Sequence, residues 1–183
     1  MYDGTYIDFQ FLELATAPDW LTIGSNLQTT VAGNGNIGFA DTLFNNGVGV
    51  TFNAIRMLQH AGLMISTAED AVTDNFINDY ETGRRSIDFT RNQLVKKYDH
   101  PAVDQFAFSQ FTDSLNRLTI EQSAYSNESE DFIVLKYRVS NYTDQDLDNI
   151  NLGLYTDFNI LNQTTNRAER VATLSYNHTY DAN

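Results

Sequence analysis

The chain has 183 residues, 42% of them hydrophobic and 13% aromatic. That is enough for one medium domain, which can bury roughly 70% of the surface of its unfolded form, and it excludes a wholly disordered tail. Acidic groups outnumber basic ones 24 to 11, giving a net charge of −13, which counts against binding nucleic acid or an anionic bilayer surface.

Period-two alternation, the mark of half-buried strands, runs along most of the chain. Ile7, Phe9 and Phe11 alternate with Asp8 and Gln10. A short strand is expected over 36–39, and Val48, Val50 and Phe52 alternate with Gly47, Gly49 and Thr51. Thr67-Ala68-Glu69-Asp70 resembles a capping box, and Val72, Phe76, Ile77 and Tyr80 follow at helical spacing. This makes 69–80 the one candidate helix, although its β-branched residues and Asn weaken it. The polar stretch 79–86 reads as a loop.

Over 118–125, Leu118, Ile120, Gln122 and Ala124 share one face. The longest strand is expected over 131–140, with Ile133, Leu135, Tyr137 and Val139 on one face. Phe132, Val134, Lys136 and Arg138 lie on the other. Its first half is apolar on both faces, which predicts a central position for that end. Strands over 150–157 and 171–176 bring the count to about ten. Asn34-Gly35-Asn36 and Asn45-Asn46-Gly47 supply turn geometry. The expected fold is an all-β antiparallel sandwich of two sheets, a single domain over 1–183. Met1-Tyr2-Asp3-Gly4 has neither the basic nor the apolar region of a signal peptide, and Tyr180-Asp181-Ala182-Asn183 reads as a cut end, so excision from a larger protein is expected.

The chemical motifs are sparse. With no cysteine, disulfides, thiolate zinc sites and a cysteine nucleophile are ruled out. His60, His100 and His178 form no H-E-x-x-H pattern, and no Gly-x-Ser-x-Gly elbow is present. Gly33-Asn34-Gly35-Asn36-Ile37-Gly38 matches a dinucleotide fingerprint, but no helical period follows it, so these glycines read as hairpin geometry. Glu128, Glu130 and Asp131 read as solvated turn charges rather than a glycosidase pair. No run approaches the ~18 apolar residues of a membrane-spanning helix, so no membrane insertion is expected.

Two acidic stretches offer oxygen ligands for a structural calcium. Asp144, Asp146 and Asp148 alternate in a polar loop, and Asp157 with Asn159 closes the following strand. The first departs from the EF-hand pattern, with Asn149 at the glycine position and Tyr155 at that of the bidentate Glu. Trp20, beside Pro18 and Asp19, is the least core-like aromatic and the candidate ligand-binding residue.

Several stretches together resemble a known domain. They are Gly35-Asn36-Ile37-Gly38-Phe39-Ala40-Asp41, Gly47-Val48-Gly49-Val50-Thr51-Phe52 and Ala61-Gly62-Leu63-Met64-Ile65-Ser66-Thr67, then the strand over 131–141 and Leu152-Gly153-Leu154-Tyr155-Thr156-Asp157-Phe158-Asn159-Ile160. In this order they resemble a β-domain found downstream of the catalytic domain in secreted subtilisin-like serine peptidases of Bacteroidetes and related bacteria. The similarity spans 34–183. Where that family usually reads Asp-Trp-Asp-Ile, this chain has Asp157-Phe158-Asn159-Ile160, one carboxylate fewer. The resemblance implies a secreted or cell-surface, non-catalytic accessory domain. Its partners would be other domains of the parent protein and a surface polymer, glycan or protein. A carbohydrate-binding sandwich is the alternative.

Overall fold

The computed structural model describes residues 19–41, 44–69, 71–75, 77–79, 84–85, 88–160, 165–171 and 176–181. Among these, every regular element is a strand: β1 (Trp20–Gly24), β2 (Leu27–Ala32), β3 (Asn36–Ile37), β4 (Val50–Phe52), β5 (Ile55–Ser66), β6 (Val72–Thr73), β7 (Ile77–Asp79), β8 (Arg84–Arg85), β9 (Phe89–Tyr98), β10 (Gln105–Asp113), β11 (Leu118–Ser126), β12 (Ile133–Asn141), β13 (Asn151–Phe158), β14 (Asn166–Val171) and β15 (Tyr176–Asp181). The number exceeds the ten expected mainly because several strands are only two or three residues long.

Two antiparallel sheets carry the fold. One has the order β1-β2-β3-β5-β13, with β4 bridging β2 and β5 and with β6 on β5; the other is β12-β11-β10-β9. They pack face to face. Ile23, Val31, Ile37 and Ala61 of the first meet Val95, Ala107 and Ala124 of the second in one apolar cluster. Leu63 and Ile65 join Phe89, Phe111, Leu118 and Ile120 in another. The 118–125 alternation is realised as read, with Leu118, Ile120, Gln122 and Ala124 all buried. The glycine-rich run turns β2 into β3. Gly35 has φ +91°, and a Cβ there would lie 2.8 Å from the Phe111 ring, so no other residue fits.

Polar ties cross the same interface. The Gln122 amide donates to the Ala32 carbonyl at 3.2 Å. The Gln105 amide both accepts from the Gly24 N–H and donates to the Gly24 carbonyl. Asp113 is fully buried, and its carboxylate accepts from the Thr73 hydroxyl at 2.6 Å and from the Asn116 amide at 2.8 Å. The Asn116 side chain in turn accepts from Thr67. The β10–β11 turn is thereby fixed to β6 of the opposite sheet.

Four expectations are corrected. The candidate helix over 69–80 is extended where described: Val72 and Thr73 pair with Ser66 and Ile65, and Ile77–Asp79 forms β7. Local helical spacing gives way to Thr73 anchoring on Asp113 and to the β-branched preference for sheet. The first half of β12 is not central. The strand lies at a sheet edge with Val134 47% exposed, because apolar residues on both faces here serve two different surfaces. Of the strand expected over 171–176, Val171 instead ends β14 and pairs with Tyr176 at the start of β15, while 172–175 lie outside the described residues. Within the stretch read as a loop over 79–86, the described residues Asp79, Arg84 and Arg85 belong to β7 and β8, which pair antiparallel. The alternation over 7–11 lies outside the described residues.

Asp19 ties the sheets at another point, its carboxylate 3.0 Å from the Arg91 guanidinium. Burial pushes this carboxyl above its ordinary value, opposed by Arg91 and by the Val95 N–H. Between the ordinary and the raised value the folded state holds the proton more tightly than the unfolded one. Asp19 therefore lowers stability as pH rises through that interval. Denaturant titrations from about pH 4 to about pH 7 should show Asp19→Asn gaining stability relative to the natural chain as pH rises. Asp113→Ala, which strands the Thr73 and Asn116 donors, should lower unfolding free energy by about 2–4 kcal/mol in urea melts.

Candidate functional site

The acidic loop that follows β12 is shaped by its own hydrogen bonds. Asn141 Oδ1 accepts from the Thr143 N–H and hydroxyl at 2.9 and 2.8 Å, and Arg117 donates to Gln145 at 2.7 Å. Leu147 turns inward against the Phe111–Ile120 cluster, which leaves Asp144, Asp146 and Asp148 exposed on the outside of the bend. Among the described residues, no three His, Asp or Glu side chains converge to hold a metal ion. Asp157 lies toward the far end of β13 from this loop, about 20 Å along the strand.

Asp157 instead faces His60, with its carboxylate 3.5 Å from Nδ1. Asn159 is held by its backbone, whose N–H donates to the Met57 carbonyl at 3.1 Å. The imidazole packs near Tyr155 at 5.5 Å and Phe44 at 6.3 Å; Phe44 meets Phe39 edge-on, and the Arg56 guanidinium lies 5.1 Å over the Phe39 ring. A His–Asp pair is two-thirds of a hydrolytic triad. Here the His60 side chain is only 4% exposed, beneath aromatic rings that keep a substrate from reaching it. The arrangement joins β5, β13 and the 38–49 segment. Asp157→Ala should lower the calorimetric midpoint by several degrees, equally in excess EDTA and in millimolar calcium, because the lost partner is a protein side chain. Asp146→Ala should leave the midpoint within about a degree in both.

The outer face of the four-stranded sheet is sorted into rows. Register places Tyr98 opposite Phe106, Phe106 opposite Tyr125 and Tyr125 opposite Val134, so one row crosses all four strands. The next holds Lys96, Phe108, Ser123 and Lys136. Gln93, Gln110, Glu121 and Arg138 follow, and then Thr90, Thr112, Thr119 and Ser140. The aromatic residues thus gather toward one end, with Phe108 in the second row, and the two farther rows are polar.

Within the aromatic row, Phe106 and Tyr125 stack with centroids 4.9 Å apart and planes 17° apart. His100 lies 5.3 Å from Phe106, and Tyr98 stands 6.1 Å from it on the other strand. Tyr98 is 43% exposed and its hydroxyl accepts from Gln93 at 2.7 Å. Phe132, 50% exposed, lies two residues before Val134, just ahead of β12. Three interstrand gaps give the row a length of about 14 Å. At its end are the turns carrying Asp104, Glu128, Glu130 and Asp131. There Asp104 accepts from the Glu128 N–H, Glu130 from Asn127, and Asp131 from Asn26.

Trp20 is not part of this surface. It is half-buried in β1, and alternation with Leu21 and Ile23, which join the core, puts it on the outer face of the other sheet. The aromatic row was missed because its members lie on four strands between residues 98 and 134 and meet only through register. Phe106 and Phe108 alternating against Ala107 and Ser109 was the local signal.

No protein-family model, no curated protein and no solved structure matches this chain.

Proposed function

We propose that this chain is a non-catalytic accessory module that works by binding, and that its ligand is a carbohydrate held on the outer face of the four-stranded sheet. The observation that carries the reading is the row of Tyr98, Phe106, Tyr125 and Val134 crossing that face. Tyr98 and Val134 are exposed at either side of the half-buried Phe106 and Tyr125 rings, and on this outer face they have no core to complete. Sugars present C–H surfaces that pack on rings, and hydroxyls that pair with carboxylates and amides. Asp104, Glu128 and Glu130 in the adjoining turns provide those acceptors. The burial of His60 supports a module without hydrolytic chemistry of its own.

The parent we propose is a secreted subtilisin-like serine peptidase, a reading supported by the motif order over 34–160. In that setting the module would hold the enzyme at a surface polymer. Reading the full open reading frame tests the setting: an Asp, His and Ser peptidase domain upstream supports it, and a frame without one removes it.

Ligand binding is tested by affinity electrophoresis of the purified chain through gels containing soluble glycans. Retardation on at least one glycan is expected, with Tyr98→Ala and Tyr125→Ala weakening it about tenfold or more. Trp20→Ala should leave it unchanged. Free migration on every glycan, or loss of retardation only in Trp20→Ala, would overturn the assignment.

A further inference from the structure

We propose that Asn46-Gly47 is a self-modification site, at which the Asn46 side-chain amide is exchanged for a carboxylate through a cyclic imide. The proposal does not depend on the aromatic row, which lies on the four-stranded sheet.

The chain contains this dipeptide twice, at Asn34-Gly35 and at Asn46-Gly47. The reaction joins the glycine nitrogen to the Cγ of the asparagine. It is favoured by a side chain that can turn, by a main-chain N–H not committed to an acceptor, and by the lack of a Cβ beside that nitrogen. The two copies share the last condition and differ in the others.

At Asn34-Gly35 both reacting groups are engaged. Asn34 Oδ1 accepts from the Asn36 N–H at 3.4 Å, and the Gly35 N–H donates to the Ala32 carbonyl at 3.2 Å. The Asn34 carbonyl accepts from the buried Asn75 amide at 3.2 Å, and the Phe111 ring lies over Gly35.

At Asn46-Gly47 the backbone is held, but the reacting groups are not. The Asn46 N–H donates to the Asp41 carboxylate, and the Asn46 carbonyl accepts from the Ala40 N–H at 2.8 Å. Among the described residues, nothing bonds the exposed Asn46 side chain and no acceptor meets the Gly47 N–H. Glycine is required at 47, where φ is +145° and a Cβ would lie 2.3 Å from the Gly38 carbonyl oxygen. The packing that demands glycine therefore also supplies an unshielded nitrogen.

In the reaction the Gly47 nitrogen bonds to Asn46 Cγ as the amide nitrogen departs, and solvent relays the Gly47 proton to the leaving ammonia. One water then opens the imide. Attack at Cγ gives aspartate. Attack at the main-chain carbonyl gives isoaspartate, which turns the carbonyl that accepts from Ala40 into a carboxylate and routes the chain through the side-chain methylene. Both products set a new negative charge near Asp41.

The test is incubation of the whole chain in mildly alkaline heavy-oxygen water, with peptide mapping by mass spectrometry. Opening of the imide incorporates the label. Conversion at Asn46 should run about tenfold or more faster than at Asn34, where reaction needs local opening. In concentrated urea the two rates should converge, because the difference belongs to the fold. Asn46→Gln, whose imide needs a larger ring, should abolish the fast conversion and leave Asn34 unchanged. An unreacted Asn46 in the folded chain, conversion as fast at Asn34, or a difference between the sites that persists in urea would overturn the proposal.

Discussion

Burial of the Asp113 carboxylate is the constraint around which the two sheets are arranged. A charge or a hydroxyl taken out of water must find partners inside the protein. Asp113 finds them in the Asn116 amide of its own turn and the Thr73 hydroxyl of the opposite sheet. That requirement holds the 71–75 segment extended, seats the β10–β11 turn and fixes the height of β10 against β5. Gln122 and Gln105 repeat the device farther along, each bonding to backbone of the facing sheet. A chain without cysteine thus cross-links its layers by hydrogen bonds, with apolar packing between them.

The outer rows follow from this arrangement. Once Asp113 sets β10, the antiparallel pairing with β9 and β11 determines which side chains meet across the outer face, down to Tyr98, Phe106 and Tyr125 at the other end. The inner face is filled by Ala107, Phe111, Ile120 and Ala124, so aromatic residues that alternate with them are turned outward.

The sequence was most legible where a single face is buried. Leu118, Ile120, Gln122 and Ala124 read as one face, and even the glutamine belongs there, because it serves the Ala32 carbonyl. Legibility failed where both faces carry apolar residues. Val134 and Phe132 looked like core and are surface, since periodicity reports a side of the strand but not what lies against it. It failed again at Val72 and Thr73, whose conformation is decided by a residue forty positions away. The pairing of Asp157 with His60 was hidden for the same reason: the two are adjacent only through the β5–β13 register.

The position of Trp20 has an optical consequence. It is the single tryptophan of the chain, half-buried in β1 next to Asp19, whose carboxylate reaches across to Arg91 of the other sheet. Indole emission depends on the polarity around the ring, so its wavelength registers whether the two layers are together or apart. Separation of the sandwich can thus be followed by intrinsic fluorescence without any label.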